Sequence, residues 1–128
     1  MEIELEIDFL KANKFGMKLL KDSENETVIY YDKEQGKLIL DRSKNGEKLA
    51  DIMAPEVVDD IRKVAVDLLD NKLKLRIFVD RSSVEIFIQD GEKTMTSTVY
   101  PKASATAIEF FSDKQVIIKE LYKWEIKL

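Results

Sequence analysis

The protein has 128 residues, of which 45% are hydrophobic and 36% are charged, and this length and composition indicate a single globular domain. The net charge of −4 argues against nucleic acid and against an anionic membrane as partners, and no apolar run approaches the roughly 20 residues of a membrane helix. Because the chain has no Cys and no His, it cannot form disulfides, thiolate nucleophiles, Ser-His-Asp triads or metal sites with these ligands, and we expect no metal or cofactor.

The main pattern along the chain is an alternation of apolar and polar residues, which is typical of half-buried β-strands. In residues 2–9, four acids fall on one side and four apolar residues fall on the other: Ile3, Leu5, Ile7 and Phe9. The same pattern predicts strands at 2–10, 15–20, 26–31, 37–41, 73–79, 84–89, 94–100, 105–111, 114–119 and 121–127. Turn-forming pairs such as Asp90-Gly91 separate these segments.

Residues 55–69 are compatible with two structures. As a helix that begins near Pro55, the segment places four apolar residues on one face: Val57, Ile61, Val64 and Leu68. As a strand, its second half also alternates between apolar and polar residues. We predict a single helical turn or loop at 55–61 and a strand at 62–69.

A hairpin centred on residues 80–83 allows a register to be predicted. With Asp80 to Ser83 as its loop, the opposite pairs are Ile77 with Ile86, Val79 with Val84, Phe78 with Glu85, and Arg76 with Phe87. One face of the hairpin is then aliphatic, whereas the other mixes aromatic and charged side chains. Many short antiparallel strands of this kind predict an all-β domain, either a β-sandwich or a β-barrel.

Two segments share the sequence Asp-Arg-Ser after an apolar run. Asp and Ser side chains form hydrogen bonds to nearby backbone amides and so favour turns. We therefore predict that Asp41 and Ser43 form one structural turn, and that Asp80 and Ser82 form another.

Carboxylates are the remaining candidates for catalytic chemistry. Most of the acids alternate outward on predicted strands or lie in turns, which is the pattern of solvated surface groups. Glu85 lies among Arg76 and two phenylalanines, and we expect it to form a cross-strand ion pair, with a polar contact to a partner as the alternative. Asp32 and Glu34 lack the spacing of a calcium-binding loop.

The central hairpin carries a resemblance to a known family. Residues 75–87 (LRIFVDRSSVEIF), with QDGE at 89–92 and MTSTVYP at 95–101, closely resemble the signature of the C-terminal β-sandwich domain of glycoside hydrolase family 32. Flanking segments agree in the same order: FGMKL at 15–19, TVIYYD at 27–32, LDRS at 40–43 and LYKWEI at 121–126. The family contains invertases, levanases, inulinases and sucrose-6-phosphate hydrolases. The resemblance also favours a strand at 62–69.

In that family an N-terminal β-propeller carries catalysis through the motifs Asn-Asp-Pro-Asn, Arg-Asp-Pro and Glu-Cys, and none of these occurs in this sequence. The resemblance therefore implies an all-β module, a two-sheet antiparallel β-sandwich of the concanavalin or lectin type. It implies that this module has no catalytic residues and comes from a sucrose- or fructan-hydrolysing enzyme. Its implied role is to pack against the propeller and stabilise it, and to aid oligomerisation. The side chains expected at that partner face are Arg76, Phe78, Glu85, Phe87 and Tyr100.

Two alternatives stay open. In the first, the chain is a module that binds fructan or sucrose, with Tyr30, Tyr122 and Trp124 as candidate sugar contacts. In the second, it is a free-standing protein interaction domain. A lone Trp among alternating apolar residues is, however, usually a packing residue. The N-terminal residues lack the pattern of a signal peptide, and the compartment stays open between cytoplasmic and secreted bacterial, with the absence of Cys favouring the cytoplasm.

Overall fold

A computed structural model describes residues 1–21, 26–44, 61–80, 83–98 and 107–124 of the chain. The strands in these ranges are β1 (Glu2–Asp8), β2 (Lys14–Lys21), β3 (Glu26–Asp32), β4 (Lys37–Lys44), β5 (Ile61–Ala65), β6 (Lys72–Val79), β7 (Ser83–Ile88), β8 (Lys93–Thr98), β9 (Ala107–Ser112) and β10 (Ile117–Trp124). Within these ranges there is no helix of the length and apolarity needed to cross a membrane.

The strands form two five-stranded sheets, and this arrangement confirms the predicted two-sheet β-sandwich. Sheet A has the order β10-β1-β6-β7-β8, and sheet B has the order β5-β4-β3-β2-β9. Every neighbouring pair of strands is antiparallel. The strand β1 lies inside sheet A and pairs on both sides, so the edges of that sheet are β10 and β8.

The core lies between the two sheets and follows from the alternation of side chains along each strand. In β1, the inward-facing Ile3 and Leu5 are each 1% exposed, whereas the acids that alternate with the apolar residues of this strand are only partly buried. Beyond the end of β1, Phe9 packs edge-on against two rings of sheet B, Phe15 at 6.4 Å and Tyr31 at 5.5 Å between centroids. Burial of this apolar surface is the main favourable contribution to folding.

One lateral side of the sandwich is joined by hydrogen bonds between the sheets. Arg62 of β5 donates from Nη1 to the carbonyl of Thr96 in β8 at 3.0 Å. The buried Arg42 of β4 donates from Nη1 to Oγ of Ser97 at 3.1 Å. The edge strands of the other lateral side are β9 and β10.

The separate strands predicted at 114–119 and 121–127 are wrong, because a single strand, β10, covers residues 117–124. The pairing of β1 with β10 passes from Glu6–Glu120 directly to Ile7–Ile118, so that Lys119 is an extra residue in β10. Such a β-bulge interrupts the alternation of faces within one strand. The interrupted alternation resembles two strands in the sequence.

The strand predicted at 62–69 is confirmed only for its first part, since β5 ends at Ala65. Beyond β5, the N–H of Val66 donates to the carbonyl of Gly36 at 2.9 Å, and Leu69 forms an isolated bridge with Lys72. For the helical turn or loop predicted at 55–61, residues 55–60 lie outside the described residues.

Candidate functional site

The outward surface of sheet A combines aromatic and charged side chains across four adjacent strands. The predicted register of its central hairpin is confirmed, with Arg76 opposite Phe87 and Phe78 opposite Glu85. Because β1 separates β6 from β10, this surface extends beyond the hairpin. We call it the mixed face, and it consists of Glu2, Glu4, Arg76, Phe78, Glu85, Phe87, Tyr122 and Trp124.

Aromatic contacts organise the centre of the mixed face. Phe78 and Phe87 meet edge to face, with centroids 5.7 Å apart and an interplanar angle of 85°. The guanidinium of Arg76 lies 5.1 Å from the centroid of Phe78. A cation over a ring and an edge-to-face pair are both favourable arrangements, so these three side chains restrain one another. Both phenylalanines remain only half-buried in this chain.

The carboxylate partner of Arg76 is Glu2, and not Glu85 as predicted. Arg76 donates from Nε to Oε1 of Glu2 at 2.6 Å, across the β1–β6 pairing. Glu85 lies exposed opposite Phe78, and it forms no ion pair with any residue that the structure describes. The guanidinium points to β1 because two acidic side chains of that strand, Glu2 and Glu4, flank it there.

A shallow groove of about 290 Å³ lies on this surface. Its lining residues are Glu4, Lys74, Leu75, Arg76, Phe78, Phe87, Asp90 and Gly91. At one end, Lys74 and Asp90 form an ion pair of 2.7 Å. The hydrogen bond to the Asp90 carboxylate, together with the charge of that group, raises the pKa of Lys74. The groove is therefore lined by two aromatic rings and by charged side chains of both signs.

The sequence prediction missed Glu2 and Glu4 of the mixed face, and it missed Lys74, which lines the groove. The available signal was the charge pattern of two strands that are far apart in the chain. The acids of β1 lie opposite the cations of β6, with Glu4 opposite Arg76 and Glu6 opposite Lys74. Opposite charges at directly facing positions stabilise a pair of neighbouring strands. Acids alternating along β1 and cations alternating along β6 therefore indicate that these two strands are neighbours.

The candidate sugar contacts do not form one site. Tyr122 and Trp124 stack on each other on β10, with centroids 5.7 Å apart and an interplanar angle of 18°. Tyr30 lies on sheet B, where its ring contacts Phe111 at 6.4 Å. The predicted partner-face residue Tyr100 lies outside the described residues.

The first Asp-Arg-Ser segment lies within strand β4 rather than in a turn. The register of β3 with β4 shifts there, from Glu26–Lys44 to Val28–Asp41. Oδ1 of Asp41 accepts a hydrogen bond from the N–H of Ser43 at 2.9 Å. The expected side-chain-to-backbone bond is thus present, but it stabilises a bulge in a strand.

Of the second Asp-Arg-Ser segment, the structure describes Asp80, which follows the last residue of β6. The N–H of Asp80 donates to the carbonyl of Ser83 at 2.9 Å and closes the connection between β6 and β7. Ser82 lies outside the described residues. The role predicted for the Asp80 side chain stays a prediction.

The described acids serve structural roles where their contacts are defined. Asp32 accepts hydrogen bonds from the backbone N–H groups of Glu34 and Gln35 at 3.0 and 3.3 Å, so its carboxylate caps a turn. Hydrogen bonds from the backbone N–H of Lys14 and its neighbours lower the pKa of Asp113, and a general acid would need the opposite shift. Within the described ranges, no three acidic side chains cluster in a way that could hold a metal.

Comparison with protein families gives a match over nearly the whole chain. Residues 1–125 match the family model described as glycosyl hydrolases family 32 C terminal. A levanase of Bacillus subtilis is 35% identical over 101 residues, which cover 79% of this chain and 14% of the levanase. A sucrose-6-phosphate hydrolase of Staphylococcus xylosus is 34% identical over 129 residues, which cover 98% of this chain and 24% of that protein.

Solved structures agree with these sequence matches. The exo-inulinase of Aspergillus awamori superposes with a TM-score of 0.77 at 27% identity, covering 94% of this chain and 23% of the inulinase. The sucrose-6-phosphate hydrolase of Lactobacillus gasseri superposes with a TM-score of 0.70 at 27% identity, covering 90% of this chain and 22% of that enzyme. The chain therefore spans less than a quarter of the length of each of these relatives.

Proposed function

Since the chain belongs to the family of C-terminal domains of glycosyl hydrolases family 32, we propose that it is the non-catalytic β-sandwich module of a longer enzyme that hydrolyses sucrose or fructans. Its role is mechanical: it packs against the catalytic domain, expected to be an N-terminal β-propeller, and stabilises that domain. This chain contributes no catalytic residue, because the three catalytic motifs of the family do not occur in its sequence.

The observation that carries this proposal is the mixed face. The core of the module lies between the two sheets, and the half-buried Phe78 and Phe87 lie outside this core, on the outward side of sheet A. Interfaces between domains of one chain are more polar than obligate ones, and they combine an apolar centre with charged surroundings. The mixed face has that composition, with the two rings at its centre and Glu2, Arg76 and Glu85 around them.

The charged side chains of the mixed face restrict the orientation in which a partner can bind. Arg76 is already held by Glu2 and by the ring of Phe78, so little side-chain entropy is lost when a partner covers it. Glu85 is exposed and forms no ion pair within the described residues, so it is available to a cation of the catalytic domain. A face arranged in this way favours one orientation of the partner over others.

The test uses the longer enzyme, with Phe78→Ser and Phe87→Ser introduced together. We expect the thermal midpoint of the catalytic domain to fall, while the KM for sucrose at low temperature stays unchanged, because the substrate pocket lies outside this chain. Leu69→Ser is the matched control, since Leu69 is 58% exposed and lies off the mixed face. An unchanged midpoint in the double variant, with the module still folded, would refute the mechanical role.

A second candidate function is binding of fructan or sucrose, and the exposed Tyr122–Trp124 stack favours it. Aromatic rings with an exposed face are suitable surfaces for sugar rings. Trp124 is the single Trp of the chain, so tryptophan fluorescence reports on the Tyr122–Trp124 stack when inulin or sucrose is added. Tyr122→Ala should abolish a real signal and Tyr30→Ala should leave it intact, whereas no change at millimolar sugar would eliminate this function.

A further inference from the structure

The connection between β7 and β8 contains the single Asp-Gly pair of the chain, Asp90-Gly91. An aspartate followed by glycine is chemically reactive, because the backbone nitrogen of the glycine can attack the side-chain carboxyl carbon and glycine has no side chain to shield that nitrogen. The side chain of Asp90 is 75% exposed, and nothing lies within 4 Å of a Cβ added at Gly91. Sequence and accessibility therefore make this pair a candidate modification site.

The backbone of this connection is strained. Asp90 and the preceding Gln89 have φ angles of 59° and 52°, in the left-handed region that residues with a side chain rarely adopt. The N–H of Gly91 donates to the carbonyl of Ile88 at 3.2 Å, which is at the long end of the range for such a hydrogen bond. Both features make local opening of this turn less costly than opening of a regular strand.

Two contacts of the folded chain oppose the reaction. Nζ of Lys74 lies 2.7 Å from Oδ1 of Asp90, and this ion pair ties the carboxylate to strand β6. The hydrogen bond to Ile88 occupies the N–H of Gly91, whose nitrogen is the attacking atom. The carboxylate has to leave Lys74, and the turn has to open, before the reacting atoms can meet. The folded hairpin therefore slows a reaction that its sequence favours.

We propose that Asp90 is a site of isoaspartate formation, and that its ion pair with Lys74 limits the rate. The nitrogen of Gly91 bonds to Cγ of Asp90, and one carboxyl oxygen leaves as water together with the amide proton and the carboxyl proton. The product is a succinimide ring. Water then adds to one of its carbonyl carbons, and the bond from that carbon to nitrogen breaks. Addition at Cγ restores the aspartate, whereas addition at the main-chain carbonyl leaves Gly91 linked through Cγ, which is isoaspartate.

Isoaspartate at this position changes one end of the groove on the mixed face. The main chain gains a carbon atom between Asp90 and Gly91, and the free carboxylate is then attached to Cα. Asp90, Gly91 and Lys74 all line the groove, and Lys74 loses the partner that the aspartate provided. The reaction needs only the Asp-Gly pair and water, so this inference does not depend on the mechanical role of the mixed face.

The first experiment keeps the 128-residue chain for weeks in mildly acidic buffer made with water enriched in the heavy oxygen isotope, and then digests it with trypsin in ordinary water. Trypsin releases residues 82–93 as one peptide, in which Asp90 is the single Asp. We expect this peptide to gain heavy oxygen and to yield an isomer that an isoaspartyl carboxyl methyltransferase methylates. The peptide of residues 77–81 is the internal control, since its exposed Asp80 precedes Arg81 instead of a glycine, and it should stay unlabelled.

The second experiment tests the ion pair with Lys74→Gln. The pair is largely exposed, so its loss should speed isoaspartate formation by about two- to fivefold, the factor that corresponds to a typical surface ion pair. Lys72→Gln is the matched control, because Lys72 lies on the same side of β6, opposite Asp8, and it should leave the rate unchanged. Asp90→Glu keeps the carboxylate but would have to close a larger ring, and it should form no isomer. Circular dichroism verifies that the variants remain folded.

A peptide 82–93 that stays unlabelled would overturn the proposal. So would equal labelling of the peptides 82–93 and 77–81, because the Asp-Gly pair would then have no special reactivity. Equal rates in the unchanged chain and in Lys74→Gln would contradict the role assigned to the ion pair. Unfolding in urea should speed the reaction, since the strands then no longer hold the turn, and a slower reaction in urea would show that the folded hairpin promotes isomerisation instead of slowing it.

Discussion

Glu2 and Arg76 are 74 residues apart in the chain, and their side chains meet at 2.6 Å. The contact crosses from the first strand of the chain to the middle of sheet A, where β1 lies between β6 and β10. It brings the acidic side of β1 against the basic side of β6 and holds the guanidinium over Phe78. This one ion pair therefore orders the centre of the mixed face.

The Glu2–Arg76 pair should contribute little to global stability. The Arg76 side chain is 54% exposed and that of Glu2 is 15% exposed, so water and salt screen the interaction. We expect a coupling free energy of about 0.5 kcal/mol from a double-mutant cycle of Glu2→Gln and Arg76→Gln measured by urea unfolding. The coupling should shrink in high salt, and a coupling of several kcal/mol that ignores salt would contradict this interpretation.

Gly16→Ala should be one of the more damaging single substitutions on sheet B. Gly16 lies between Tyr30 and Phe111, which meet over it, and an added Cβ would be 2.5 Å from the Ile29 carbonyl oxygen and 2.7 Å from Cζ of Phe111. We expect a loss of about 1–3 kcal/mol from this overpacking. The measurement is the shift of the urea midpoint at constant slope.

Gly36→Ala is the comparison for that experiment. Nothing lies within 4 Å of a Cβ added at Gly36, so its cost comes only from its φ of +64°. We expect about 1 kcal/mol for an alanine in this left-handed conformation. A Gly16→Ala chain that is more stable than Gly36→Ala would show that the sheet relaxes around the extra methyl group.

Tyr31→Phe tests a buried hydrogen bond between β3, the middle strand of sheet B, and the segment after β5. The hydroxyl of Tyr31 donates to the carbonyl of Val66 at 2.7 Å, and the residue is 3% exposed. Its removal leaves that buried carbonyl without this donor, at a cost of about 1–2 kcal/mol near neutral pH. Chemical unfolding of the unchanged chain and of the Tyr31→Phe variant gives the difference between their free energies of unfolding.

The unchanged chain and the Tyr31→Phe variant should also differ in how their stability depends on pH in alkaline solution. Burial, and then the charges of Asp67 and Asp32, raise the pKa of Tyr31 above its ordinary value of 10.0. The unfolded chain therefore loses this proton first, and the stability linked to the neutral phenol is present below pH 10 and lost as the pH rises towards the folded pKa. Unfolding curves above pH 10 should show this loss only in the chain with Tyr31, and parallel losses would argue against it.

Asp113→Asn tests the connection between β9 and β10 in acid. Asp113 accepts hydrogen bonds from the backbone N–H groups of Asn13 and Lys14, each at 3.0 Å, and these bonds lower its pKa. The stability that its charge provides is present above the ordinary pKa and is lost as the pH falls through the lower folded pKa. The stability difference between the two chains should therefore shrink in acid, as seen by unfolding at a series of pH values.

A difference that stays constant down to strong acid would show that the carboxylate charge is not what holds Asn13 and Lys14. Glu92→Gln is the control, because Glu92 is exposed and lies on the β7–β8 connection, away from these amides.

Local sequence patterns predicted most strands and the register of the β6–β7 hairpin. Strand periodicity depends on neighbouring residues, and a short loop leaves few ways to pair its two strands. Two of the errors arose where a strand carries an extra residue. The bulge at Lys119 made one strand resemble two, and the shift beside Asp41 made a strand resemble a turn.

The sequence by itself determined the all-β class, the family, and the absence of His, Cys and the catalytic motifs, because composition and alternation are properties of the chain alone. Only the tertiary structure decided that Glu2 rather than Glu85 pairs with Arg76, that Tyr30 is apart from Tyr122, and that β10 is left exposed. These depend on the order of strands in each sheet. That order is set by packing of the whole core over long separations in the chain, and many orders are compatible with one alternating pattern.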